Sequence, residues 1–170
     1  SSYASHDLHA FAAKFPPQLP RAFIRGLTLP GETVLDPMMG SGTTIVEALL
    51  EGRQGIGIDL DPLAIQLSQV KTMPLVVEDA GEAGAIVLHV ANTLLADGTV
   101  IEQNLAKRFD EHTRTFIDYW FLPTTQRELM ALVLAIQDVT DSSIRRFLEL
   151  TFSSVIVTKS GGVSLARDLA

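Results

Sequence analysis

The 170-residue chain contains no cysteine, which excludes a disulfide scaffold, a thiol nucleophile and a thiolate metal site. It is short of positive charge. Thirteen Lys and Arg stand against twenty Asp and Glu, for a formal charge of -7 and a pI near 5.0, so it is a poor nonspecific polyanion binder by itself. No stretch of eighteen apolar residues occurs, and nothing reads as membrane-spanning. The opening SSYASHDLHAFAAKF lacks a basic region feeding an apolar core and does not read as a signal peptide. A reducing, cytoplasmic setting with no membrane partner is the expectation; no pattern sets an oligomeric state. Apolar residues make up 46% and charged residues 19%, values of a globular chain. The length fits one domain.

The first fourteen residues, with His6, Asp7 and His9, read as an arm or loop. Pro16-Pro17 then precedes a helical pattern in which Leu19, Phe23, Ile24 and Leu27 share one face. Prolines are tolerated there because the first N–H groups of a helix have no intrahelical partner. Thr33, Val34 and Leu35 form a short apolar strand ending at Asp36, and DPMMGSGTT over 36–44 is a glycine-rich bend. A helix follows to Gly52, with Ile45, Ala48 and Leu49 expected to face inward and Gly52 to supply the terminating left-handed residue. A second strand at 55–58 ends at Asp59; Asp61 caps the next helix, with Pro62 at its first position.

Strand, glycine loop, helix, strand, acid, helix is the opening of a parallel nucleotide-binding α/β sheet. Short all-apolar strands suit a sheet covered on both faces. After Lys71 the character changes. Helical spacing dominates, Thr125-x-x-Glu128 reads as a capping box, Asp141 as a cap, and RTFIDYWFLP over 114–123 as a strand or aromatic loop. The division expected is a cofactor-binding α/β segment over 1–72 and a mainly helical extension over 73–170. Further strands either hide in 74–90 and 153–158 or lie in sequence outside this chain.

The glycine loop narrows the ligand. Gly40 and Gly42 flank Ser41 directly after the first strand, where glycine lets backbone approach a ligand. Thr43 and Thr44 offer hydroxyls and N–H groups at a helix start, which suits an anion. No Lys precedes them, so the loop is not a nucleotide-triphosphate P-loop, and Ile45 breaks the dinucleotide G-x-G-x-x-G pattern. Asp36 before the glycines repels a pyrophosphate and attracts an ammonium. Asp59 at the tip of the second strand can accept both hydroxyls of a ribose. A ligand with an amino-acid end and a nucleoside end fits this polarity.

These residues carry a family resemblance. DPMMGSGTT resembles the DPF-x-GSGTT loop of the S-adenosylmethionine-dependent DNA amino-methyltransferases, which make N6-methyladenine or N4-methylcytosine, with Met38 where Phe is usual. HAFAAKFPPQLPRAFI over 9–24 is similar to the family's cofactor-flanking segment, and GIGIDLDPLAIQLSQVKT over 55–72 to its ribose-binding strand and following helix. The resemblance implies a Rossmann-like methyltransferase sheet, here partial, with a helix-rich C-terminal half. It implies a restriction-modification setting, and S-adenosylmethionine as cofactor. Asp36, within Asp36-Pro37, would hold the methionine amine. Gly40, Ser41 and Gly42 would line the methionine and ribose, and Thr43 and Thr44 would receive the carboxylate. Asp59 would take the ribose hydroxyls, Leu60 would lie against the adenine, and Phe15 and Pro16 would cover the cofactor.

One element of the family pattern is missing. A D/N/S-P-P-Y/F/W tetrad draws electron density onto the target amine and stacks on the flipped base. The only Pro-Pro here is Phe15-Pro16-Pro17-Gln18, with neither the polar residue nor the aromatic. No catalytic residue is therefore assigned, and the chain alone is expected to be inactive. Three readings stay open: part of a longer methyltransferase that meets DNA through other sequence, a non-catalytic cofactor-binding or regulatory subunit, or a methyltransferase acting on RNA or a small molecule. His6 and His9 read as solvated arm residues rather than metal ligands, and Tyr119-Trp120-Phe121 as core anchors rather than a base-stacking platform. Lys159 and Arg167 in the polar tail are candidate phosphate contacts.

Overall fold

Two short strands, β1 (Thr33–Asp36) and β2 (Gln54–Gly57), lie parallel in the register Thr33↔Gln54 to Asp36↔Gly57 in the computed structural model, which describes residues 4–9, 11 and 14–156. The pairing is extended at both ends. Gly31 N–H donates to Gly52 O at 2.8 Å, Ile58 N–H to Asp36 O at 2.9 Å and Met39 N–H to Ile58 O at 3.0 Å. Parallel strands need a crossover, supplied by α2 (Thr43–Leu50). Helices α1 (Gln18–Leu27) and α3 (Pro62–Thr72) complete this unit, which runs Ser1–Pro74.

The GIG of the second strand has a packing reason. A Cβ on Gly55 would stand 2.8 Å from Ile45 Cγ2, and one on Gly57 would stand 2.2 Å from Met39 Sδ. Bare backbone at these alternate positions lets α2 and the glycine loop press directly on one face of the sheet. The other face is open, with Leu35, Ile56 and Ile58 exposed. The expectation of a sheet covered on both faces is thus corrected: two strands and one helical layer cover one side only, and among the described residues the full methyltransferase sheet is not formed.

Other expectations are met or corrected locally. Gly52 has φ 73° and ends α2 as expected. Asp61 caps α3, accepting from Leu63 N–H at 2.9 Å. The helix expected after Pro16-Pro17 forms as α1, and of the residues expected to share one face Ile24 is buried while Leu19, Phe23 and Leu27 are exposed. Leu49 is also exposed, while Ile45 and Ala48 are buried.

Leu75–Ala170 forms a second unit, all helix among its described residues: α4 (Val77–Asp97), α5 (Thr99–Arg108), α6 (Glu111–Trp120), α7 (Pro123–Gln137) and α8 (Ser142–Ile156). No strand hides in 74–90 or 153–156. The segment 114–120 is helical, not a strand or loop, because Asp110 caps it by accepting from Thr113 N–H at 2.7 Å. The Thr125–Glu128 capping box does not form, since α7 already starts at Pro123, the favoured residue of a first turn. Asp141 does cap α8, accepting from Ser143 and Ile144 N–H. The core is Val87, Ala91, Ile101, Met130, Ala131, Ala135, Ile136 and Leu148. Tyr119 is exposed and Trp120 and Phe121 are half-buried outside this core, so the aromatic run does not anchor it; Trp120 packs edge-on to Tyr119 at 5.1 Å. No single described helix is long and apolar enough to cross a membrane. Lys159 and Arg167 lie outside the described residues.

Candidate cofactor site

The glycine loop folds as a turn closed by Gly42 N–H donating to Met39 O at 2.9 Å. Gly40 and Gly42 both take positive φ, 50° and 75°, which side-chain-bearing residues rarely adopt. A cleft of about 240 Å³ beside this turn is lined by Phe15, Asp36, Pro37, Gly40, Ser41, Thr43 and Thr44, all expected site residues, and by Phe11, Lys14, Met38 and Met39. Met38, where the family has Phe, is largely exposed. Asp36 accepts one backbone hydrogen bond, from Met38 N–H at 3.1 Å, and so keeps acceptor capacity for an ammonium. Thr43 and Thr44 open α2, where the N–H groups have no partner within the helix.

The four remaining expected residues stand elsewhere. Asp59 borders an adjacent cleft of about 360 Å³ with Met39, Ile45, Ser68 and Gln69. Its carboxylate is a clasp: Oδ2 accepts from Gly40 N–H at 2.8 Å and Oδ1 from Asp61 N–H at 2.9 Å. These bonds, that from Asp61 foremost and then that from Gly40, hold its pKa below the usual carboxylate value. Leu60 is fully exposed, and Pro16 is exposed outside the cleft lining. Gly42 is turned toward α3, where a Cβ would stand 2.4 Å from Ser68 Oγ; its lack of a side chain serves helix packing.

Residues 1–70 match the model of the N6_N4_Mtase family, DNA methylase. The chain is 49% identical to the type II methyltransferase M.BglI of Bacillus subtilis over 74 residues, 44% of this chain and 21% of that protein. Type II methyltransferase M.MjaII of Methanocaldococcus jannaschii is 39% identical over 66 residues, 39% of this chain and 12% of that protein. Type II methyltransferase M.MvaI of Kocuria varians is 27% identical over 158 residues, 89% of this chain and 34% of that protein. The chain therefore spans between about an eighth and a third of these relatives. No solved structure matches.

Several residues that shape the Ser1–Pro74 unit give no local signal in the sequence. His6 and His9 are buried, not solvated. His6 Nε2 donates at 2.8 Å to Oε1 of Glu47, a fully buried carboxylate on α2 that needs a donor. Ser5 Oγ donates to Lys71 O at 2.9 Å, and Lys14 Nζ donates to the carbonyls of His6 and His9 at 3.2 and 3.1 Å. The described residues of the arm are thus held by hydrogen bonds to the rest of the unit through Ser5 and His6. Glu51 joins Arg21 and Arg25 of α1, each at 2.6 Å, and the Arg25 hydrogen bond foremost lowers its pKa.

Proposed function

We propose that this chain supplies the S-adenosylmethionine-binding part of a DNA methyltransferase acting on an exocyclic amine, N6 of adenine or N4 of cytosine. The observation that carries the reading is the cleft that gathers Asp36, Thr43 and Thr44 around the glycine turn. A carboxylate on one side and helix-start N–H groups with hydroxyls on the other suit the ammonium and carboxylate of a zwitterionic amino-acid end. A cleft of about 240 Å³ is smaller than the roughly 300–1,000 Å³ of sites that enclose a whole small molecule, so it fits one end of the cofactor. Asp59 and Leu60 are available to the nucleoside end. When bound, the cofactor supplies the methyl group.

Methyl transfer to a base amine also requires that nitrogen to be oriented and its protons accepted as charge develops. No residue of this chain is assigned that work, because the tetrad is not among its 170 residues. In this reading it comes from sequence outside them, consistent with the fraction of each relative that the chain spans.

Calorimetry with S-adenosylhomocysteine, ATP and NAD tests the cofactor reading. The homologous nucleoside should bind and the other two much less. Asp36→Ala should weaken binding by roughly ten- to a hundredfold, the worth of one hydrogen bond to a charged group. Equal binding of ATP, or an unchanged affinity in Asp36→Ala, overturns it. With DNA and labelled S-adenosylmethionine the chain alone should transfer no methyl group, and only a longer chain that also contains the tetrad should do so.

A further inference from the structure

Lysine is among the residues least often buried without an ionic partner. Lys71, near the end of α3, is only 7% exposed. Its ammonium donates at 2.8 Å to the carbonyl of Ser41, in the middle of the glycine turn. Among the described residues no carboxylate lies within ion-pair distance of it. Its charged neighbours are Lys14, which repels it, and Asp7, which offsets it by less than Lys14 and burial oppose it. Lys14 lines the cleft and likewise donates to backbone carbonyls. Two ammonium groups are thus set beside one glycine turn with no paired anion, in a chain of net charge -7. Burying an uncompensated charge is costly. Retaining one directly behind an anion-suited loop is explained if the compensating anion arrives with the ligand.

We infer that Lys71 is a positioning residue for the ligand's carboxylate: its buried ammonium fixes the Ser41 carbonyl and places uncompensated positive charge behind the Ser41–Thr44 turn. This rests on the cofactor reading above and deepens it. Lys71 does not line the cleft. It acts through the turn, by orienting the Ser41–Gly42 peptide and by its field, which the buried surroundings screen little. The Ser41 carbonyl turned toward Lys71 is also kept from facing an incoming carboxylate.

The test compares two probes differing only in the carboxylate: S-adenosylhomocysteine and its decarboxylated form, S-adenosyl-3-thiopropylamine. Calorimetry at pH 7 on Lys71→Met should show S-adenosylhomocysteine weakened by about tenfold or more and the decarboxylated probe by less than about twofold. Lys71→Arg should restore most of the loss, since it keeps the charge. Equal losses for both probes would make Lys71 a merely structural brace and overturn the inference, as would no loss at all. Failure of the wild-type chain to bind either probe would instead overturn the cofactor reading, and the inference with it. Should Lys71→Met not fold by circular dichroism, the wild-type chain decides. The Lys71 amine, followed by NMR, should titrate at higher pH with S-adenosylhomocysteine bound and not with the decarboxylated probe; no difference between them overturns the inference.

Discussion

The two units of the chain bury different chemistry. The buried polar and charged residues His6, His9, Ser41, Thr43, Glu47, Arg53, Ser68 and Lys71 all lie before Pro74. The core beyond it is Val, Ala, Ile, Met and Leu. Burying a polar group costs free energy unless its hydrogen bonds are remade, so a helical scaffold does best with the second arrangement. The first accepts that cost around one element, the glycine turn: Lys71 holds Ser41 O, Asp59 holds Gly40 N–H, and Ser68 packs on Gly42. The family match, residues 1–70, falls on the polar unit. A turn that must present backbone to a ligand cannot also be tied down by an apolar side chain of its own, and its neighbours tie it down with hydrogen bonds.

The comparison breaks most sharply at His6. In His6→Ala the fully buried Glu47 loses its 2.8 Å partner. Stranding one member of a buried pair costs about 3–5 kcal/mol; the Arg21 guanidinium, 3.8 Å from the other Glu47 oxygen, holds the cost to the lower end, so the urea midpoint followed by circular dichroism should fall by the equivalent of about 3 kcal/mol. A change below about 1 kcal/mol, the worth of an exposed pair, would mean that Glu47 is not relying on His6. The apolar unit should respond through packing instead. Ile101 is fully buried, and Ile101→Ala should cost about 2–4 kcal/mol through lost transfer energy and a cavity. The only tryptophan, Trp120, lies in α6, so its fluorescence reports this unit. That signal should shift in Ile101→Ala. Equal shifts of the Trp120 and circular dichroism curves in His6→Ala would show the two units unfolding as one.

What could be read from the sequence divides along the same line. The glycine turn and the Asp61-Pro62 helix start depend on residues close together in the chain, and the pairing of the two strands follows from the strand–helix–strand order; each is legible. Lys71 to Ser41 spans 30 positions and His6 to Glu47 spans 41. No local pattern marks such pairs, and a buried Lys or His looks like a solvated one. Periodicity also says which residues share a face, not whether anything covers it; hence Leu19, Phe23 and Leu27 share the expected face yet stand exposed. Segment 114–120 was misread because its aromatic, β-prone composition outweighed the single Asp110 cap that decides it.

The smallest expected effect sharpens the comparison at Lys71. Burial lowers its pKa from 10.5 to about 8, with Lys14 adding to the fall and Asp7 opposing it. In the unfolded chain the amine titrates near its ordinary value, about 10.4. Below pH 8 both states hold the proton, and the folded state bears the full cost of the buried charge. Between about pH 8 and 10.5 the unfolded chain keeps the proton while the folded chain releases it, so the unfolded state binds more protons and stability rises with pH. Other groups titrate in this window too. The contribution of Lys71 is therefore read as a difference: urea midpoints of the wild-type chain and of Lys71→Met across the window. The wild-type chain should gain on the variant as pH rises. A flat difference would mean that the ammonium is already compensated in the folded chain, and the polar unit would then carry no unpaid charge at its turn. Saturating S-adenosylhomocysteine should move the gain to higher pH, because a bound carboxylate favours the protonated amine.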